Sequence, residues 1–293
     1  MLPAPIRATP ADLPRPVAEA LAEADPRGGE IATCEAAGIP FASIAWGEPD
    51  GRPLLLIHGV TASARIWWRV GPALAATGRR VTALDLPGHG LTGHWQGHHR
   101  FRDNARDVAA WIRAMDLDLP ELQVVGHSWG AMTAAALPAA GIRPATIVLV
   151  DPPSMPLAFI SAMATDPAER PLEDMAASVA ALAAANPRWS SADIMAKAEA
   201  LQQLDLEAAR AVLLDNGDWD GGLADLADPA AAGIPIWIVR GEERTGGLLP
   251  DSRLAAFAGR IGWDHILTIA DGPHAPQRLY PEATTAALLR ALA

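Results

Sequence analysis

The stretch Val124-Val125-Gly126-His127-Ser128-Trp129-Gly130-Ala131-Met132 (124–132) decides how this chain is read. An apolar run enters it and an alanine-rich, helix-compatible stretch leaves it. Gly126-His127-Ser128-Trp129-Gly130 fits G-x-S-x-G, in which a sharp strand-to-helix turn lifts the serine hydroxyl out of the top of a sheet. Glycine is needed on both sides because side chains there would collide with neighbouring backbone. The helix that follows aims its amide dipoles at the same spot and favours an anion there. Ser128 is therefore the candidate nucleophile, and the Trp129 amide a candidate donor to an oxyanion.

Outward from this turn the strand-like rhythm repeats. Apolar runs without alternation occupy residues 39–46, 53–59, 81–86, 122–126, 145–151, 234–241 and 265–270. Such runs suit strands covered on both faces. Between them, Phe101–Met115 and Ala131–Ala140 have the length and spacing of crossover helices. The alternation predicts the α/β class, with a doubly wound and mostly parallel sheet. After Asp151 the rhythm breaks for roughly eighty residues, too many for a bare loop in a compact domain. Within them, Met175, Val179 and Leu182 recur at helical spacing, as do Ile194, Ala198, Leu201 and Leu204. Residues 152–232 thus read as a helical cap inserted into a core domain made of 1–151 and 233–293.

Composition narrows the function. A chain of 293 residues, half of them hydrophobic, can bury a large core. Its net charge of −11 argues against a nucleic-acid partner, since phosphate backbones demand a basic surface. Cys34 is the only cysteine, so no internal disulfide forms, and Lys197 is the only lysine. The N-terminal residues lack the continuous apolar stretch of a signal peptide, and no apolar run reaches the ~18–20 residues that span a bilayer. The expectation is a cytoplasmic protein with no membrane partner.

Two further motifs flank the serine in sequence. In Leu54–Thr61 a tight turn after a strand can present the Val60 amide as the second oxyanion donor. In Ala270–Glu282 a histidine follows the last strand, where a general base belongs if the order is serine, acid, histidine. Of the eight histidines, His58, His89 and His127 sit inside turn motifs and His265 opens a strand, and His274, by its place after the last strand, is the best base. His58, Trp95 and Met155 are assigned to the substrate pocket, and Trp67, Trp68, Trp129, Trp189 and Trp219 are further aromatic candidates for its lining. His94, His98 and His99 lack an accompanying carboxylate or cysteine signature, so no metal site is expected. Asn216–Gly222 spaces its carboxylates somewhat like a calcium loop but lacks the later glutamate, and reads as a turn closing the cap.

Together these residues resemble the α/β-hydrolase superfamily from about residue 39 onward. Leu84-Asp85-Leu86-Pro87-Gly88-His89-Gly90 is similar to the D-x-P-G-x-G turn of its lid-bearing esterases, C–C bond hydrolases, epoxide hydrolases and dehalogenases. The resemblance implies eight strands, the first of them matched by residues 31–36, and a helical cap inserted after strand six. It also implies that a serine, rather than an aspartate, at the nucleophile position works through an acyl-enzyme. The acid of such sites commonly stands three residues after the glycine that closes the seventh strand. Counted from Gly241 that residue is Arg244, which cannot orient an imidazolium. Asp151, at the end of the previous strand, is the first choice of acid, and Glu243 the second. The leading reading is a cofactor-free serine hydrolase for carboxylic esters of small to medium, largely apolar molecules. A C–C bond (diketone) hydrolase and a cofactor-free perhydrolase use the same triad, and a ligand-binding receptor with little turnover is the alternative of another class.

Overall fold

The computed structural model describes residues 3–94, 97, 99–166, 170–172 and 174–293. Its strands are β1 (Glu30–Ala36), β2 (Ile39–Trp46), β3 (Arg52–Ile57), β4 (Arg79–Leu84), β5 (Gln123–His127), β6 (Thr146–Val150), β7 (Ser154–Met155), β8 (Trp219–Asp220), β9 (Ile236–Arg240) and β10 (Ile266–Thr268). Eight of them form one sheet in the order β1-β2-β4-β3-β5-β6-β9-β10, while β7 and β8 pair separately. The pairings β1 with β2 and β2 with β4 are antiparallel, and the rest of the large sheet is parallel.

The apolar runs are continuous because both faces of the sheet are covered. Leu55, Ile57, Val124, Ile147, Leu149 and Ile238 point into one core cluster, packed with Trp111 and Trp129. Their neighbours Leu54, Leu56, Val125, Val148, Val150 and Val239 point into a second, with Trp67 and Leu288. The period of two thus divides one run between two cores.

Helices flank the sheet: α1 (Arg15–Ala22), α2 (Val70–Ala75), α3 (Phe101–Ala114) and α4 (Trp129–Ala136) precede β6. In α3, Ala105, Val108, Ala109, Trp111 and Ile112 are buried, the stripe expected of a helix lying on a sheet. The helix expected over Ala131–Ala140 starts two residues earlier and ends at Ala136. Pro138 lacks the amide needed to continue it, and a 3-10 turn, Pro138–Ala140, follows. The final strand is shorter than its apolar run: the Ile269 amide still donates to Arg240 O at 2.8 Å, and on its other side the chain bridges Ile6.

Between β6 and β9 lie α5 (Leu157–Met163), α6 (Met175–Ala185), α7 (Ser191–Gln202), α8 (Leu206–Leu214) and α9 (Leu223–Leu226). Side chains at the N-caps start three of these: Asp174 accepts from the Ala177 amide, Ser190 from Asp193, and Asp205 from Glu207 and Ala208. Leu182, Ile194, Ala198, Leu201, Leu204 and Ala209 form a small core of their own. Val212 and Leu213 of α8 instead join the larger cluster that covers one face of the sheet. After β9 come α10 (Leu254–Ile261), α11 (Pro276–Leu279) and α12 (Pro281–Ala291). Among the described residues no helix is long and apolar enough to cross a membrane.

Candidate active site

Ser128 stands between β5 and α4 with φ +56° and ψ −121°, a conformation that L-residues rarely adopt. It is held there from both ends. The Ser128 amide donates to Val150 O on the next strand at 3.0 Å, and its carbonyl accepts from Ala131 and Met132. The two flanking glycines allow the crossing. A Cβ on Gly126 would lie 2.1 Å from Gly130 O, and one on Gly130 would lie 2.5 Å from the carbonyl oxygens of Ile57 and His58. No side chain fits at either place.

His274, in the loop after β10, reaches both partners. Its Nε2 lies 2.9 Å from Ser128 Oγ and its Nδ1 lies 2.7 Å from Asp151 Oδ2. Asp151 is fully buried, with φ +43°, directly after β6. Its carboxylate accepts from the amides of Gly241 (3.0 Å) and Leu248 (2.8 Å) as well as from His274. Those two amides belong to the exit of β9, so the acid is clamped by the neighbouring strand and cannot swing away.

Glu243, the second choice of acid, takes no part in this chain. It is exposed on a 3-10 turn, where its carboxylate accepts from the Asp251 amide at 2.9 Å. Its neighbours form an exposed ion-pair network in which Arg244 bridges Glu242 and Asp271. Charge at the end of β9 is therefore spent on a surface loop, worth little individually in stability.

The turn after β3 packs directly on the serine: a Cβ on Gly59 would lie 2.8 Å from Ser128 Cβ. Among the described residues, the Val60 and Trp129 amides donate to no acceptor. Trp129 is the first residue of α4, where intrahelical partners do not exist.

His58 does not line the pocket as expected. It is fully buried, with Nδ1 donating to Gly59 O (2.8 Å) and Nε2 accepting from the Leu86 amide (3.0 Å). Both ring nitrogens are used by the neutral ring, and burial lowers its pKa to about 4. It stitches two loops together behind the site. His127 is also buried, with its ring stacked obliquely 4.9 Å from that of His274 and its Nε2 donating to His274 O at 2.9 Å. Burial, then the neighbouring His274, pushes its pKa well down, so it stays neutral.

In front of Ser128 and His274 lies a cavity of about 100 Å³. Its apolar walls are Pro153, Met155, Met163, Leu213, Trp219 and Leu248, and Val60 and Thr61 close the remaining side. Met155 lines this cavity and stands opposite Trp219 in the β7–β8 pair. Thr61, Met163 and Leu213 also line a second chamber of about 240 Å³, so the two lie side by side with these residues between them. Of the other tryptophans, Trp67 and Trp129 are core residues and Trp189 lines a separate cavity between α6 and α7. Trp95 and His98 lie outside the described residues. Among those described, no group of three or more His, Cys, Asp or Glu could hold a metal ion, and His94 pairs with Asp205. Sequence reasoning missed Met163, Leu213 and Leu248, because nothing in a helical stripe or a loop says which side chain faces the serine.

A family model described as alpha/beta hydrolase fold matches residues 52–231. Among curated proteins, the chain is 38% identical over 98 residues to the dihydrolipoyllysine-residue acetyltransferase component of an acetoin-cleaving system from Pseudomonas putida, a match covering 33% of this chain and 25% of that one. It is 34% identical to a haloalkane dehalogenase of Mesorhizobium japonicum over 34% of this chain and 30% of the relative. The matched part thus spans a quarter to a third of these relatives. Among solved structures, E-2-(acetamidomethylene)succinate hydrolase superposes with a TM-score of 0.74 at 21% identity, covering 90% of this chain and 99% of the other. An esterase from Rhodococcus sp. ECU1013 gives 0.68 at 20% identity, covering 89% and 98%. At that identity the likeness is one of fold.

Proposed function

Since the chain belongs to the α/β-hydrolase fold family, we propose that it is a serine hydrolase cleaving carboxylic esters of small to medium, largely apolar molecules. The observation that carries this is the continuous chain from Ser128 Oγ through the His274 ring to the buried Asp151 carboxylate. Asp151 fixes the tautomer with Nδ1 protonated, leaving Nε2 free to accept the Ser128 proton. Ser128 Oγ then bonds to the ester carbonyl carbon, whose oxygen takes up the electron pair. The Val60 and Trp129 amides, which have no acceptor among the described residues, receive that oxyanion. On collapse the C–O bond to the alcohol breaks, and His274 hands its proton to the leaving oxygen. Water repeats the cycle on the acyl-enzyme, giving up its proton to His274 and releasing the acid.

The apolar walls around Ser128 favour an ester over the diketone acid of a C–C hydrolase. That substrate carries a carboxylate and wants a cation beside the nucleophile, whereas Arg170 and Arg210 line the outer chamber and not the cavity at Ser128. In this reading residues 152–232 act as the cap. They supply Met155, Met163, Leu213 and Trp219 to the cavity and keep water away from the reaction.

The test is a fluorophosphonate label combined with hydrolysis of p-nitrophenyl esters. Wild-type protein is expected to take one label and turn over, and Ser128→Ala to do neither while remaining folded. Undiminished labelling of the variant would remove Ser128 from its role.

A further inference from the structure

The only lysine of the chain, Lys197, sits on α7 with its side chain buried. Its Nζ donates to Thr61 O at 3.0 Å and to Thr61 Oγ1 at 2.8 Å. Thr61 directly follows Val60, one of the two amides assigned above to the oxyanion, and it lines both chambers. Its φ is +58°, an unfavourable conformation for a β-branched residue. Strain of this kind persists only where the surroundings over-determine the backbone, and it gathers at functional loops. Within the loop itself, the one backbone bond closing this turn, Ala62 N to Gly59 O, is long at 3.3 Å. Lys197 supplies the stronger restraint from outside.

The helix that carries Lys197 is itself anchored. One turn earlier, Asp193 accepts from Trp68 Nε1 (3.0 Å) and from Arg69 (3.1 Å), and its backbone carbonyl accepts from Arg278 (2.9 Å). The lysine therefore projects from a rigid base onto the loop. A buried ammonium is expensive to desolvate, and an apolar residue would fill a purely structural position at lower cost.

We propose that Lys197 is a positioning residue for the oxyanion loop. It grips the carbonyl and hydroxyl of Thr61 so that the preceding Val60 amide points at the developing oxyanion, and its positive charge raises the potential there. The inference rests on the serine-hydrolase reading of the same site. It also makes catalysis depend on the docking of α7 against the core.

Lys197→Met keeps the stem and removes the donors and the charge. The expected result on p-nitrophenyl acetate is a roughly 10–100-fold fall in kcat, somewhat less than the loss of an oxyanion donor outright, with KM changed by less than about twofold. Affinity for a trifluoromethyl ketone analogue should fall in proportion to kcat/KM, since both report transition-state binding. Lys197→Arg, which restores charge and donors, should recover part of the kcat. Wild-type kcat in Lys197→Met, an effect on KM alone, or a lowered Tm with unchanged kcat and analogue affinity would overturn the proposal. If Lys197→Met does not fold, Thr61→Val removes one acceptor at constant shape. It should lower kcat several-fold without changing KM, and an unchanged kcat overturns the proposal equally. A wild-type protein that neither turns over nor takes the fluorophosphonate defeats the serine-hydrolase reading itself. An active wild type matched by Lys197→Met defeats only the role of Lys197.

Discussion

Asp151 and His274, 123 positions apart in sequence, meet at 2.7 Å, with the Asp151 carboxylate also closed over the amides of Gly241 and Leu248. The acid therefore joins three pieces of chain: the end of β6, the exit of β9 and the loop after β10. Arg244, three residues after Gly241, turns outward to Glu242 and Asp271 and away from His274.

Asp151→Asn should lower kcat by about 10⁴, because an amide NH₂ facing Nδ1 would select the tautomer that cannot accept the serine proton. Glu243→Gln should leave kcat within about twofold, as expected of an exposed loop residue. Steady-state kinetics of the two purified variants decide the matter, and the reverse ranking would return the role to Glu243.

The backbone at Ser128 stores strain that only glycine relieves. Ser128→Gly should be more stable than Ser128→Ala by about 1 kcal/mol, since both lose the hydroxyl but only alanine keeps a Cβ at positive φ. Denaturant unfolding of the two inactive variants measures this. Equal midpoints would mean that the turn is unstrained.

Leu213 stands where the two chambers meet. If acyl chains extend from one chamber into the other, Leu213→Trp should block them, leaving p-nitrophenyl acetate hydrolysis within about threefold but cutting kcat/KM for octanoate tenfold or more, in line with the cost of overpacking. A uniform loss across chain lengths would show that the outer chamber is not part of the substrate path.

Stability should fall on mild acidification. Burial holds His58 and His89 at pKa values of about 4 and about 3, below the ordinary 6.5, and holds His127 well below it. Between pH 6.5 and 4 the unfolded chain therefore binds protons that the folded protein refuses, so stability declines as pH drops through that window. Asp85 works in the opposite sense. Burial raises it to about 6 from 3.8, so the folded state gains a proton first and is stabilised as pH falls from 6 toward 4. Three histidines outweigh one aspartate. Tm should decrease from pH 6.5 to 4.5, and more steeply in Asp85→Asn, which lacks the compensating group. A Tm independent of pH over this range would contradict the buried, neutral state of these rings.

The sequence by itself determined the strands of the large sheet and the tight turn at Ser128, and it singled out His274. A run buried on both faces is written as uninterrupted apolar residues, and a turn in which backbones touch can only be written with glycine, as at Gly126 and Gly130. These are local constraints, and local constraints leave local marks. The end of α4 shows the limit of length estimates, since an alanine-rich stretch gives no hint of its stop except Pro138. What only the tertiary structure decided is which side chains share a space. Asp151 and Glu243 are both acids near strand ends, and Pro152 and Pro153 after Asp151 are the one neighbouring feature that ranks them; the structure brings Asp151 to the His274 ring and leaves Glu243 on the Asp251 amide. His58 looked like a pocket residue because it adjoins the oxyanion turn. Its direction is set by the Leu86 amide from a loop that lies 28 positions away. Met163, Leu213 and Lys197 reach the site from helices packed over it, and their approach depends on interhelical geometry that no single helical stripe encodes. Proximity across elements comes from how surfaces pack, and one surface seen alone does not specify its partner.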